Sequence, residues 1–241
     1  GELTNWRGWG RGLRLRGHGV IITVEVARYR RRCHDIPRDI INRTLFVAIL
    51  LFDMNPDDLI PDLTQRIAEI RRDIHAHPEL AFGEWRTSEI VAKHLEALGL
   101  TVQRGIAGTG VVASLRAGNS TRAIGLRADM DALPLDELNS FAHRSRHAGQ
   151  MHACGHDGHT AMLLGAAEAL LRLRDDGLFD GTVHFIFQPA EEHEGGGRVM
   201  VEQGLFDRFP MQAVFGLHNW PGLPVGEMAV MPGPVMAGAD R

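Results

Sequence analysis

Cysteine and lysine are nearly absent from this 241-residue sequence. Cys33 and Cys154 are its two cysteines, and Lys93 is the one lysine among 26 basic residues. Two cysteines can form at most one disulfide, so a disulfide-stapled secreted scaffold is excluded, and a reducing, cytoplasmic setting is the expectation. The missing lysine reads as a compositional bias rather than a mechanism. Long hydrophobic runs are missing too. The strongest, TLFVAILLF at 44–52, is too short to span a bilayer, so no membrane partner is expected. Nor does it read as a signal peptide, because its basic leader is long and no small-residue cleavage site follows. Positive charge is scarce over most of the chain. Residues 1–53 carry ten arginines against five acidic residues, which leaves sixteen basic and twenty-five acidic groups from residue 54 onward. An acidic body of this kind repels polyanions and argues against nucleic acid as a partner.

The first 53 residues differ from the rest. GELTNWRGWGRGLRLRGHG shows neither a helical nor a strand period. We therefore expect 1–53 to be an irregular, arginine-rich extension outside the fold, with natural translation starting at Met54, and 54–241 to be the folded part. In that part Leu63, Ile67, Ile70 and Ile74 recur at helical spacing until Pro78. Ile90, Val91, Leu95 and Leu98 repeat the pattern and stop at Gly99. GTGVVASLRAG and TRAIGLRAD read as strands joined by a Gly-Asn-Ser turn. HTAMLLGAAEALLRLRDDG reads as a helix, TVHFIFQPAEE as a strand entering a polar loop, VMVEQGLFDRF as a short helix and AVFGLHNW as a buried strand. Strands alternating with helices predict an α/β fold, a layered mixed β-sheet flanked by helices.

Four polar clusters fall at predicted strand ends, where α/β proteins place their sites. Asp129 and Asp131 follow one strand, and alternate residues of an extended chain can face one pocket. MHACGHDGH at 151–159 leads into a helix. Glu191 and Glu192 follow a second strand, and His218 ends a third. Each has an ordinary explanation alone: a turn, a solvated acidic pair, a satisfied histidine, a helix N-terminus with Asp157 near the positive dipole end. Their coincidence points to a metal site. A thiolate, imidazoles and carboxylates together suit Zn²⁺, Mn²⁺, Co²⁺ or Ni²⁺ rather than Mg²⁺ or Ca²⁺ alone. The competing chemistry pairs a Cys154 nucleophile with His152 or His156. It leaves the two glutamates without a task.

At these residues the sequence resembles a known family. RRDIHAHPELAFGEWRTSE, GLRADMDALP, SRHAGQMHACGHDGHTAMLLGAA, FQPAEEHEGGG and GLHNWPGLPVG, in this order, are similar to the M20 family of metallopeptidases. Within it the likeness is to the amidohydrolase branch of hippurate hydrolases, N-acyl-L-amino-acid amidohydrolases and indole-acetyl-amino-acid hydrolases, and it runs from about Leu59 to Asp240. The resemblance implies a zinc-exopeptidase-like catalytic domain with two divalent metal ions. It matches Cys154 to a metal-bridging or metal-ligating thiolate and His156, Glu192 and His218 to further ligands. Glu191 corresponds to the general base and Asp131 to a carboxylate that orients a ligand, with Asp129 nearby. His75 and His77 lie in the HAHPE signature and are expected to cap the first helix and pack near the pocket.

The implied reaction is amide hydrolysis of an N-acyl amino acid to a carboxylic acid and a free amino acid. N-acetyl-diaminopimelate deacetylation is the runner-up, and a catalytically silent metal-binding fragment is the alternative from a different class. Family members are longer: they insert a smaller domain where this sequence stops, at PGPVMAGADR, and then supply a final histidine ligand. The resemblance therefore implies that the catalytic domain is incomplete here, and that the full-length protein forms homo-oligomers through the inserted domain.

Overall fold

The computed structural model describes residues 20–23, 56–224 and 227–229. Of residues 1–53 only Val20–Thr23 lie among these, as a strand of the sheet. The boundary expected at residue 54, the 44–52 run and Cys33 lie outside the described residues.

In chain order the elements are β1 (Val20–Thr23), α1 (Pro56–Leu59), α2 (Leu63–Ala76), α3 (Trp85–Ala97), β2 (Thr101–Ile106), β3 (Gly110–Ala117) and β4 (Ala123–Asp129). Then follow α4 (His156–Asp175), β5 (Gly181–Gln188), α5 (Gly196–Glu202), α6 (Leu205–Arg208), β6 (Ala213–Asn219) and β7 (Met228–Ala229). Two of the helices end where the sequence says they should. α2 stops at Ala76, two residues before Pro78, whose ring disfavours helical geometry at the residue preceding it. α3 is closed by Gly99 at φ 76°, and its N–H bonds back to Glu96.

The seven strands lie in the order β2-β3-β5-β4-β6-β1-β7, a mixed α/β sheet flanked by helices. β5, β4 and β6 run parallel at its centre, and β3 and β2 continue antiparallel on one side. The turn between β3 and β4 does not make a hairpin, because β5 lies between them. β4 must run parallel to β5 to bring its C-terminal end, Asp129, beside Gln188. The strand β2 carries no clean alternation, with only Ile106 buried, and had no signal in the sequence.

Alternation along β3 and β5 builds both layers. Val111, Ala113, Leu115, Val183, Phe185 and Phe187 pack with Val91 and Leu95 of α3 and with Leu164, Ala167 and Leu170 of α4. The intervening Val112 and Ile186 face the opposite side, against Met200 and Leu205 of α5 and α6. The stretch read as one helix at 199–209 is broken in two by Gly204, at φ 84°. Among the described residues no helix is long and apolar enough to cross a membrane.

Phe185 is fully buried where β5 meets the α3/α4 layer. Phe185→Ala should cost about 3–5 kcal/mol, seen as a lower urea midpoint with an unchanged slope. A loss under about 1 kcal/mol would mean that this layer is not the core.

Candidate metal centre

The parallel trio β4, β5 and β6 delivers three of the four clusters to one sheet edge, and the N-terminus of α4 delivers the fourth. Asp129 ends β4 and Asp131 lies two residues beyond; both are buried. His218 is the penultimate residue of β6. Cys154 and His156 flank Gly155, which has φ 91° and sits so close to Asn219 that a Cβ would overlap its side chain. Only glycine fits there.

His156 is the hub. It has no exposure, and its Nδ1 lies 3.2 Å from Asp131 Oδ1. Its Nε2 is 3.6 Å from Glu192 Oε1, 3.6 Å from Asp129 Oδ2 and 3.9 Å from Glu191 Oε2, and hydrogen-bonds to none of them. Glu192 Oε1 is likewise buried without a partner. Cys154 Sγ is 3.4 Å from His218 Nε2. The His218 Nδ1 sits 2.6 Å from the Asn219 carbonyl. Donation to that acceptor leaves the Nε2 lone pair facing Cys154, and donation to Asp131 turns the His156 Nε2 toward the glutamates.

Three ligand groups thus overlap: Cys154, His156 and His218; His156, Glu191 and Glu192; and Asp129, His156 and His159. Within each, one atom per residue lies within 4.8 Å of the others. Two polar atoms buried side by side without hydrogen bonds, among thiol, imidazole and carboxylate donors, are the arrangement a divalent cation satisfies. The donor set fits the metal that the sequence implies.

The electrostatics agree. Burial opposes charge on His156, but the bond to Asp131 and the nearby Cys154 sulfur and Asp129 carboxylate outweigh it and push the imidazole up to about 11. Burial likewise opposes ionisation of Asp129 and Asp131. Arg127 and His159 hold Asp129 well below the usual carboxylate range, and His156 with the Glu192 N–H holds Asp131 down. Burial pushes the Glu191 carboxyl up. Its side chain keeps 40% exposure against 17% for Glu192, so adjacent glutamates sit in different surroundings.

The loop that presents them is strained. Ala190 adopts φ 51°, left-handed for a residue with a Cβ, at a cost of about 1–2 kcal/mol. Asp131 Oδ2 accepts the Glu192 N–H at 3.0 Å, so one carboxylate steadies both ligand-bearing segments.

Reading the sequence for ligands missed the residues that support them. His159, one helical turn after His156, bridges Asp129 Oδ1 at 2.7 Å and the Asn219 side chain at 2.6 Å. Its i+3 spacing from His156 was the available signal. Arg127 donates to Asp129 at 2.7 Å and to Gln188 at 2.9 Å. His152 stays apart from the ligand groups, buried, and burial lowers it to about 4. His77 contacts the Asp73 carbonyl at the end of α2. His75 goes deeper, 2.8 Å from Asp157 and 3.1 Å from Glu137. Cys154 is a free thiol.

Comparison with known proteins places these residues in context. The model for peptidase family M20/M25/M40 matches residues 125–236. The chain is 45% identical over 186 residues to hippurate hydrolase of Campylobacter jejuni, covering 76% of this chain and 48% of that protein. It is 42% identical over 184 residues to N-acyl-L-amino acid amidohydrolase of Geobacillus stearothermophilus, covering 76% and 49%. The fold matches the crystal structure of Bacillus subtilis YXEP, described as a dinuclear metal-binding peptidase from the M20 family. There the TM-score is 0.64 and identity 40%, over 69% of this chain and 45% of that one. The chain spans about half the length of the curated relatives it matches.

Asp157 takes both Arg71, at 2.6 Å, and His75 from within the fold. Asp157→Ala should cost about 2–4 kcal/mol, short of the full penalty for a wholly buried pair because Arg71 keeps 39% exposure. Urea denaturation of the metal-free protein measures this. A loss below about 0.5 kcal/mol would remove the pairing as a support of the α4 N-terminus.

Proposed function

The chain belongs to peptidase family M20, and from that membership we propose that it is the metal-binding part of an amidohydrolase. Its substrate would be an N-acyl amino acid, cut at the amide to a carboxylic acid and a free amino acid. The observation that carries this reading is the pair of buried, unpartnered ligand atoms, His156 Nε2 and Glu192 Oε1, beside Cys154 and His218. Relatives named for hippurate, N-acyl-L-amino acid and N-acetylcysteine support an acylated amino acid and leave the acyl group broad.

Cys154, His156, Glu192 and His218 would hold two divalent cations. Bound there, the metals would supply Lewis acidity toward the amide carbonyl and lower the pKa of a water. Glu191 is the general base. Its carboxylate stands beside the ligand cluster but keeps access to solvent, so it can take the proton of the attacking water and return it to the leaving nitrogen. Burial raises its carboxyl, which brings its basicity closer to that task. Asp131 works through His156: it accepts the Nδ1 proton and so keeps Nε2 a donor of electrons, and it fixes the Glu192 backbone at the same time.

Two outcomes test this. Native mass spectrometry of the chain loaded with Mn²⁺ or Zn²⁺ should show bound metal, and Cys154→Ala should lower metal affinity about 10–100-fold. Binding that ignores the substitution would put the metal elsewhere. Glu191→Gln should keep wild-type metal occupancy while release of free amino acid from benzoylglycine and N-acetyl amino acids falls about 10²–10⁴-fold. Normal turnover in that variant would end the assignment of Glu191.

A further inference from the structure

Glu84 is a carboxyl side chain with no solvent exposure, set immediately before the first residue of α3. It does not cap that helix with its side chain. Its bonds instead run outward. Oε1 accepts the Phe82 N–H at 3.1 Å and the Ala190 N–H at 2.9 Å, and Oε2 accepts the Thr109 hydroxyl at 2.6 Å. Thr109 lies in the turn between β2 and β3. Ala190 lies 106 residues beyond Glu84, in the loop after β5, immediately before Glu191 and Glu192.

That loop is pinned on both sides. The Ala190 N–H is taken by Glu84, and the Ala190 carbonyl accepts the Gly196 N–H at 2.9 Å. Gly196 admits no side chain, since a Cβ would collide with the Pro189 carbonyl oxygen. Left-handed geometry at a buried alanine persists only where its surroundings over-determine it. Here the determinants are one buried carboxyl and the start of α5. Burying a carboxyl is costly, and no cation stands among its hydrogen-bond partners.

We propose that Glu84 is a positioning residue: through the Ala190 amide it fixes the backbone of the 189–192 loop and so sets where the Glu191 and Glu192 carboxylates stand. The inference rests on the reading of Glu192 as a metal ligand and Glu191 as the base. It is a demand on shape rather than on charge. A glutamine fits the same place, with its oxygen accepting both N–H groups and its amide donating to Thr109, a reversal that a hydroxyl permits. Burial pushes the Glu84 carboxyl up, in keeping with a position that does not need the charge.

The test is cobalt(II) titration of the 241-residue chain, followed by the thiolate-to-cobalt absorbance of Cys154, together with amide exchange at Ala190. Glu84→Gln should bind Co²⁺ within about twofold of the wild type. Glu84→Ala should keep the thiolate band but weaken binding about 10–100-fold, as Glu192→Gln should. Its Ala190 amide should exchange at least about tenfold faster. Thr109→Val, which removes one bond without removing volume, should move both readouts in the same direction by less, and it decides the matter if Glu84→Ala does not fold. Wild-type binding in Glu84→Ala or Thr109→Val, beside a weakened Glu192→Gln, would make Glu84 merely structural and overturn the proposal. Equal losses in Glu84→Gln and Glu84→Ala would overturn it too, by making charge the requirement. If Glu192→Gln binds like the wild type, the ligand reading of Glu192 falls first and takes the proposal with it.

Discussion

Like charges cannot be gathered at one buried strand end unless something positive is gathered with them. Asp129, Asp131, Glu191 and Glu192 all stand around His156, and Asp129 and Asp131 have almost no access to water. Arg127 offsets part of this charge through Asp129. The rest falls on His156, whose imidazole is driven to hold a proton far above its ordinary range. A divalent cation held as proposed by His156 and Glu192 would take that proton's place and satisfy the idle Glu192 oxygen. Metal binding at the proposed ligands would therefore be linked to the stability of this edge, because the ligands would be deprotonated as they assemble.

The backbone is shaped around that requirement. Parallel strands put Asp129, the Glu191–Glu192 loop and His218 at the same edge, which no arrangement of hairpins would do. Two of the places where the chain takes a left-handed conformation lie beside the proposed ligands. Gly155 takes a left-handed turn under Asn219 so that Cys154 and His156 can face one point, and Ala190 takes one before the paired glutamates. The strain at Ala190 is held by the hydrogen bonds of its N–H and carbonyl rather than relieved.

Much of this was legible along the chain, and the boundary of legibility is the range of the interactions. The α2, α3 and α4 periods and the strand ends rest on neighbours within a few residues, and they read directly. The insertion of β5 between β3 and β4 is a choice among distant partners, which a local turn signal cannot express. β2 is an edge strand with one buried residue, so its pattern carries little hydrophobic information. The bonds of Glu84 to Ala190 and of His159 to Asn219 span 106 and 60 residues. A buried glutamate before a helix looks, in sequence, like any solvated one. The resemblance to the M20 family supplied the proposed ligands, and it carried no account of what holds them.

MHACGHDGH therefore does more than crowd ligands together. At the α4 N-terminus the polar side chains reach three segments: His156, His159 and Thr160 the end of β4 at Asp131 and Asp129, His159 also Asn219 of β6, and Asp157 Arg71 and His75 of α2. Helical geometry makes that division possible, because positions three and four apart share a face, which turns His156, His159 and Thr160 toward the strand ends, while Asp157, one position on, projects toward α2. Asp157 also sits where the helix dipole favours a negative charge. One turn of helix thus fixes two strand ends and an entire neighbouring helix, while His152, buried and neutral, serves none of these contacts. Of the three histidines, one faces the proposed metals and one locks the strands that bring the carboxylates to it. Histidine density in such a motif measures how many segments must converge, and only in part how many ligands the metal takes.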